Sequence, residues 1–110
     1  MKIRNGFVSN SSSSSFLIIN KSNKFQDLID FVKENEWLLE KFNDAYNHNF
    51  TQLEMIESAR KNNYVFDPKE EKVLIFGDEH GTTIGHVYDY MLREGGQSEN
   101  FKWSFVELNR

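Results

Sequence analysis

The segment Gly77-Asp78-Glu79-His80-Gly81-Thr82-Thr83-Ile84-Gly85-His86 holds two carboxylates, two imidazoles and two hydroxyls within ten residues. Asp78, His80 and His86, with Asp89 a little further on, are of the types that bind divalent metals through carboxylate oxygen and neutral imidazole nitrogen. His86 and Asp89 stand three apart, on one face of a helix, where a carboxylate can orient an imidazole for proton transfer. The segment follows an apolar run and opens an amphipathic one, which is where open α/β sheets place ligands. The chemistry it could support is that of a small metal- or nucleotide-binding domain, or an enzyme, built on residues 77–89. Against this stand ordinary turn residues at Gly77-Asp78 and Gly81, a helix N-cap reading for Thr83, and the absence of a His-Glu-x-x-His zinc pattern.

A second candidate lies at the start. Asn5-Gly6 favours a tight type I′ turn between Lys2-Ile3-Arg4 and Phe7-Val8-Ser9, and Asn10 and an unbroken run Ser11–Ser15 follow. A serine run this close to the first residues, with Gly6-Phe7-Val8 ahead of it and an apolar strand behind, reads as a docking segment as well as a linker. In the docking reading Phe7, Val8 and Phe16 are anchors, and the small side chains of Ser9, Asn10, Ser11 and Ser12 let a partner strand approach closely. An anion-binding reading through successive hydroxyls and backbone N–H groups is weaker, because no glycine-rich loop ending in Lys-Ser/Thr is present.

The string Arg4-Asn5-Gly6-Phe7-Val8-Ser9-Asn10-Ser11-Ser12-Ser13-Ser14-Ser15-Phe16 resembles an N-terminal signature of small, mostly uncharacterised phage and bacterial proteins. It spans about the first sixteen of 110 residues. The resemblance implies a phage or mobile-element protein, located in a host cytoplasm or a virion. It carries over no catalytic residue.

Composition narrows the classes further. Net charge is −4, with 13 basic against 17 acidic side chains, and it comes entirely from residues 63–110. That balance opposes binding to nucleic acid by phosphate neutralisation. The chain has no cysteine, which excludes disulfides, thiol catalysis and zinc–thiolate sites. No apolar run approaches the ~18 residues of a membrane span, and no signal-peptide core follows Met1–Arg4. The expectation is a soluble, cytoplasmic protein with a protein partner, no membrane association and no cofactor. Its sixteen aromatics, ten of them Phe, supply large buried area from few residues.

The elements that must position these residues follow from periodicity. Residues 1–15 read as a Ser-rich leader and 16–110 as one domain. Phe16-Leu17-Ile18-Ile19 reads as a buried strand. Asn23 with Gln26 forms a capping-box pattern. Phe25, Leu28, Ile29, Val32, Leu39, Phe42 and Tyr46 then lie on one helical stripe. Phe31, Trp37 and Leu38 fall off it, which implies either a break near Asn35-Glu36 or an exposed patch for a homo-oligomer. A second helix starts at Thr51 with Glu54 as its capping partner, and Leu53, Ile56 and Ala59 face inward. Lys72–Phe76 is the clearest strand. Ile84, Val87, Tyr88, Met91 and Leu92 match an amphipathic third helix. Phe101, Trp103 and Phe105 share one face of a last strand; aromatics in this arrangement stack bases in some nucleic-acid binders, but only Lys102 adds positive charge. The order β-α-α-β-α-β predicts an α+β two-layer sandwich with a three- or four-stranded sheet and about three helices. The functional expectation is a non-enzymatic interaction module, an assembly component or host-factor binder docking through its leader. The 77–89 segment is the alternative.

Overall fold

The computed structural model describes residues 13–77 and 82–109. Its elements in order are β1 (Ser13–Asn20), β2 (Gln26–Asp27), α1 (Leu28–Glu34), α2 (Glu36–Tyr46), α3 (Gln52–Lys61), β3 (Val65–Phe66), β4 (Glu71–Gly77), α4 (Thr83–Met91), β5 (Gly96–Gln97) and β6 (Phe101–Asn109). The expected α+β class is observed. The main sheet runs β4-β1-β6-β5, every neighbour antiparallel, and β2 and β3 form a separate two-stranded ribbon. Because β4 and β6 are both antiparallel to β1, they run parallel to each other. The chain from β4 through α4 to β6 is therefore a β-α-β crossover with β1 inserted between its strands.

Alternation sets which face of the sheet meets the helices. Ser14, Phe16, Ile18 and Asn20 are wholly buried on β1, whereas Leu17 and Ile19 between them are only half-buried. The strand expected to be buried throughout therefore has two unequal faces. Phe101 and Trp103 of β6 are buried beside it, but Phe105 is 40% exposed. Phe31 is the hub of the core: its ring meets Tyr88, Phe101 and Trp103 edge-on at 5.4, 5.1 and 5.3 Å. Such T-shaped pairs add about 0.5–1.5 kcal/mol each beyond area burial. A few rings thus fill a core that the modest aliphatic content would leave short.

The first helical stretch breaks at Asn35, which ends α1 and begins α2. Its side-chain amide donates to the Phe31 carbonyl at 3.0 Å, and its carboxamide oxygen accepts from Trp37 Nε1 at 3.2 Å. The break re-phases α2 against α1. Leu38 consequently points into the core at 1% exposure, Phe31 is buried at 0% on the face that α1 itself shares with Leu28 and Val32, and neither leaves an exposed patch with Trp37. Phe25 and Tyr46, expected on the inward stripe, are exposed.

The cap of α1 is Asp27 with Asp30, not Asn23 with Gln26. Gln26 and Asp27 pair with Phe66 and Val65 as an extended ribbon, so the helix can begin only after them. Thr51 and Glu54 form the expected capping box of α3. The buried face of α3 is Met55, Ser58 and Ala59, while Leu53 is exposed. Helix α4 buries Ile84, Val87, Tyr88 and Leu92 as expected, but its N-cap is Thr82, whose hydroxyl accepts from Gly85 N at 3.1 Å.

The leader expected over 1–15 ends earlier than its composition implies. Ser13–Ser15 belong to β1 and are buried, each paired to both β4 and β6. No helix among the described residues is long and apolar enough to cross a membrane.

Candidate functional site

The docking anchors expected in the leader, Phe7, Val8, Ser9, Asn10, Ser11 and Ser12, lie outside the described residues. Phe16, the last of the set, is a core residue. Its ring sits 6.1 Å from that of Phe76 and 5.8 Å from that of Phe105, at zero exposure. It anchors β1 to both neighbouring strands and offers no surface to a partner.

The alternative set is divided in the same way. Asp78 and His80 lie outside the described residues, while His86 and Asp89 sit on α4 in different surroundings. The His86 ring joins an aromatic cluster, 5.6 Å from Phe42, 5.4 Å from His48, 5.9 Å from Phe50 and 6.2 Å from Tyr90. Asp89 is fully buried and turned to the sheet, where Oδ1 accepts from the Ser14 hydroxyl at 2.7 Å and from Arg93 Nη2 at 3.1 Å. That carboxylate serves the tertiary fold. No group of three or more metal-binding side chains converges among the described residues. The hydroxyl of Tyr88, enclosed beside Phe31 and Phe76, has its pKa pushed up by burial and stays a neutral phenol.

A cavity of about 260 Å³ lies where β4 approaches the start of α4, walled by Leu28, Leu74, Phe76, Thr82 and Ile84 among others. Among the described residues, none of the side chains that line it is charged. A nucleotide phosphate entering this described part of the cavity meets no cationic group.

The feature that stands out is beside that cavity, along β4 itself. One side of β4 pairs with β1 over Glu71–Gly77 in unbroken register. Among the described residues no strand pairs its other side. On the face away from the helices Val73 is 47% and Ile75 63% exposed. Leu17 of β1 sits opposite Val73 and extends this apolar surface inward.

Exposed strand edges are normally blunted by shortness, bulges, charge or proline. The other edges of this fold follow that rule. The far edge of the sheet is β5, two residues long. Beyond β5, strand β6 carries a bulge, since Ser15 pairs with Glu107 while Phe16 pairs with Phe105, leaving Val106 as the extra residue. Strand β4 has no bulge and no proline, and residues 73–77 carry no charge. Lys72, the natural guard, is drawn back over the Tyr64 ring of its own chain at 5.4 Å.

Sequence reasoning found β4 as a strand and missed that one side is open. A continuous apolar run reads as buried on both faces, and nothing local reports which neighbours a strand will have. The one available signal was the unbroken apolar tract without proline or central charge.

No family model matches this chain, and neither a curated protein nor a solved structure does.

Proposed function

We propose that this protein is a non-enzymatic protein–protein interaction module that docks a partner by strand addition along the free edge of β4. The observation that supports the reading is Val73 and Ile75, both exposed on an edge seven residues long with no guarding feature at its centre. Strand addition takes affinity from backbone hydrogen bonds and specificity from alternate side chains. The partner is accordingly an extended protein segment carrying apolar residues at alternate positions. The resemblance of the leader to phage-type proteins supports an assembly component or a host-factor binder. Residues 7–12 of the leader precede β1, whose first residue Ser13 pairs with Gly77 at one end of this edge, so the leader joins the chain beside the docking strand.

The test is capture from a host extract by the tagged chain, followed by identification of the bound protein. Ile75→Glu, an exposed change, should abolish capture while leaving the far-ultraviolet circular dichroism spectrum intact. Equal capture by the two chains would remove the β4 edge from the interaction.

A further inference from the structure

We infer that His48 and His86 together bind one divalent transition-metal ion of the class that imidazole nitrogen holds, Cu²⁺, Ni²⁺ or Zn²⁺. The site is separate from the β4 edge and does not depend on it.

The sequence sets His86 near Asp89 on α4, but Asp89 is turned to the sheet and bonded to Ser14. The imidazole that meets His86 comes from another element. Helix α2 ends at Asn47 in the left-handed conformation, φ 56° and ψ 47°, and the chain folds back over the last turn of the helix. Asn43 fixes this return. Its carbonyl accepts from His48 N at 3.1 Å. Its side-chain amide donates to the Phe50 carbonyl at 2.8 Å, and its side-chain oxygen accepts from Phe50 N at 3.2 Å. On α4 the His86 N–H donates to the Thr82 carbonyl at 3.0 Å. Both imidazoles are thus carried by hydrogen-bonded backbone. Their ring centres stand 5.4 Å apart with planes at 78°. Each residue is half-buried, so each ring also borders solvent.

That spacing fits a single ion. With a metal–nitrogen bond of about 2.0–2.1 Å, each ring centre stands roughly 3.2 Å from the metal, and two rings at a tetrahedral angle have centres roughly 5.2 Å apart. A half-turn about the Cβ–Cγ bond keeps a ring in its plane and exchanges the nitrogen it presents. The ion therefore asks for ring rotation, not for movement of the backbone.

Packing alone does not call for imidazole here. His48 stacks on Phe42 and Phe50 at 5.3 and 5.0 Å, and His86 meets the same two rings edge-on at 5.6 and 5.9 Å. Further phenyl rings would fill this space without desolvating ring nitrogens. What imidazole adds is a nitrogen lone pair. The donors also select the ion. Among the described residues no carboxylate joins the pair, so Mg²⁺ and Ca²⁺, which need oxygen ligands, are not held. Neutral imidazole suits Zn²⁺, Ni²⁺ and Cu²⁺, the last most tightly. Two protein ligands leave the remaining positions to water, and the site is open and exchangeable.

The experiment is competition of the full chain with a chromogenic zinc indicator. One Zn²⁺ should bind per chain, Cu²⁺ should bind more tightly, and Mg²⁺ should not compete. His48→Phe and His86→Phe keep a ring at each position and should leave the circular dichroism spectrum unchanged. Each should weaken Zn²⁺ binding about tenfold or more, because two linked ligands hold an ion far better than either alone. A second measurement needs no variant. The chain has three histidines, and on addition of Zn²⁺ the ring-proton NMR signals of His48 and His86 should shift together, with one half-saturation concentration.

Absence of stoichiometric Zn²⁺ binding overturns the proposal. So does Zn²⁺ binding that survives His48→Phe; its loss in His80→Ala would then assign the ion to the 77–89 segment. Separate half-saturation concentrations for the two signals would mean two independent imidazoles, and that also overturns the shared site.

Discussion

The Ser14 hydroxyl donates a 2.7 Å hydrogen bond to Asp89 across 75 positions of sequence, and neither side chain is exposed. The bond ties the central strand to α4, and Arg93 closes it from the other side, its Nε donating to the Asp89 carbonyl at 2.6 Å. A hydrogen bond to a buried charge contributes about 1.5–3 kcal/mol. Ser14→Ala should lower the unfolding free energy by about that amount, read from urea denaturation. Asp89→Ala should destabilise by about 1–3 kcal/mol, since it leaves the buried Ser14 hydroxyl without its acceptor while Arg93, about a third exposed, can turn to solvent. Unchanged urea midpoints would show that the pair contributes nothing net.

The same bond belongs to a run of serines that is part of the sheet. Ser13, Ser14 and Ser15 pair with Gly77, Phe76 and Ile75 on one side and with Asn109, Leu108 and Glu107 on the other. A chain lacking residues 1–15 should therefore be less stable than one lacking 1–12, by at least the ~1.5–3 kcal/mol of the Ser14 bond. Thermal melts of the two truncations decide it, and coincident melts would return the serines to the leader.

Glu34 gives the fold an acid-side limit. Partial burial works to raise its pKa, but the Ser98 hydroxyl and the Asn100 backbone and side-chain amides all donate to it, and the net shift is downward. A lowered pKa means the folded state favours the ionised form. The stabilisation is complete above the unfolded value, about 4.3, and is lost as pH falls through the folded one. Wild type should therefore lose stability below about pH 4.5 more steeply than Glu34→Gln. At neutral pH the variant should be about 1–2 kcal/mol less stable, the partial exposure of the pair lowering the figure. Parallel pH profiles of urea midpoints in the two proteins would refute this.

The sequence was most readable where a local rule acts alone. The Thr51–Glu54 capping box, the break at Asn35 and the inward stripe of α4 need only neighbours within a turn or two, and all are present. It was least readable where tertiary partners decide. Asn23 lost the helix start to Asp27 because β3, forty residues on, pairs with Gln26 and Asp27 and keeps them extended. Ser14 read as linker because serine composition does not disclose a buried carboxylate on a distant helix. For the candidate site, Lys72–Phe76 was legible as a strand and its open edge was not, since an edge is defined by the strand that fails to arrive.

Replacing Gly85 tests the join between β4 and α4, and two effects oppose each other there. Gly85 lies within α4, where alanine is favoured over glycine by roughly 1 kcal/mol, so helix propensity alone predicts that Gly85→Ala stabilises. A Cβ at this position, however, would lie 2.5 Å from the Gly77 carbonyl oxygen and 2.6 Å from Thr82 Oγ1. The first is backbone at the end of β4 and cannot rotate away. The second is the N-cap oxygen that accepts from Gly85 N, and displacing it removes a cap worth about 1 kcal/mol. Overpacking of this kind costs about 1–3 kcal/mol. The sum of clash and lost cap exceeds the propensity gain, so Gly85→Ala should lower stability by about 1–3 kcal/mol in chemical denaturation. A stabilised variant would mean that α4 can lift from the end of β4 at little cost, and that the glycine is not required by the close approach of the two backbones.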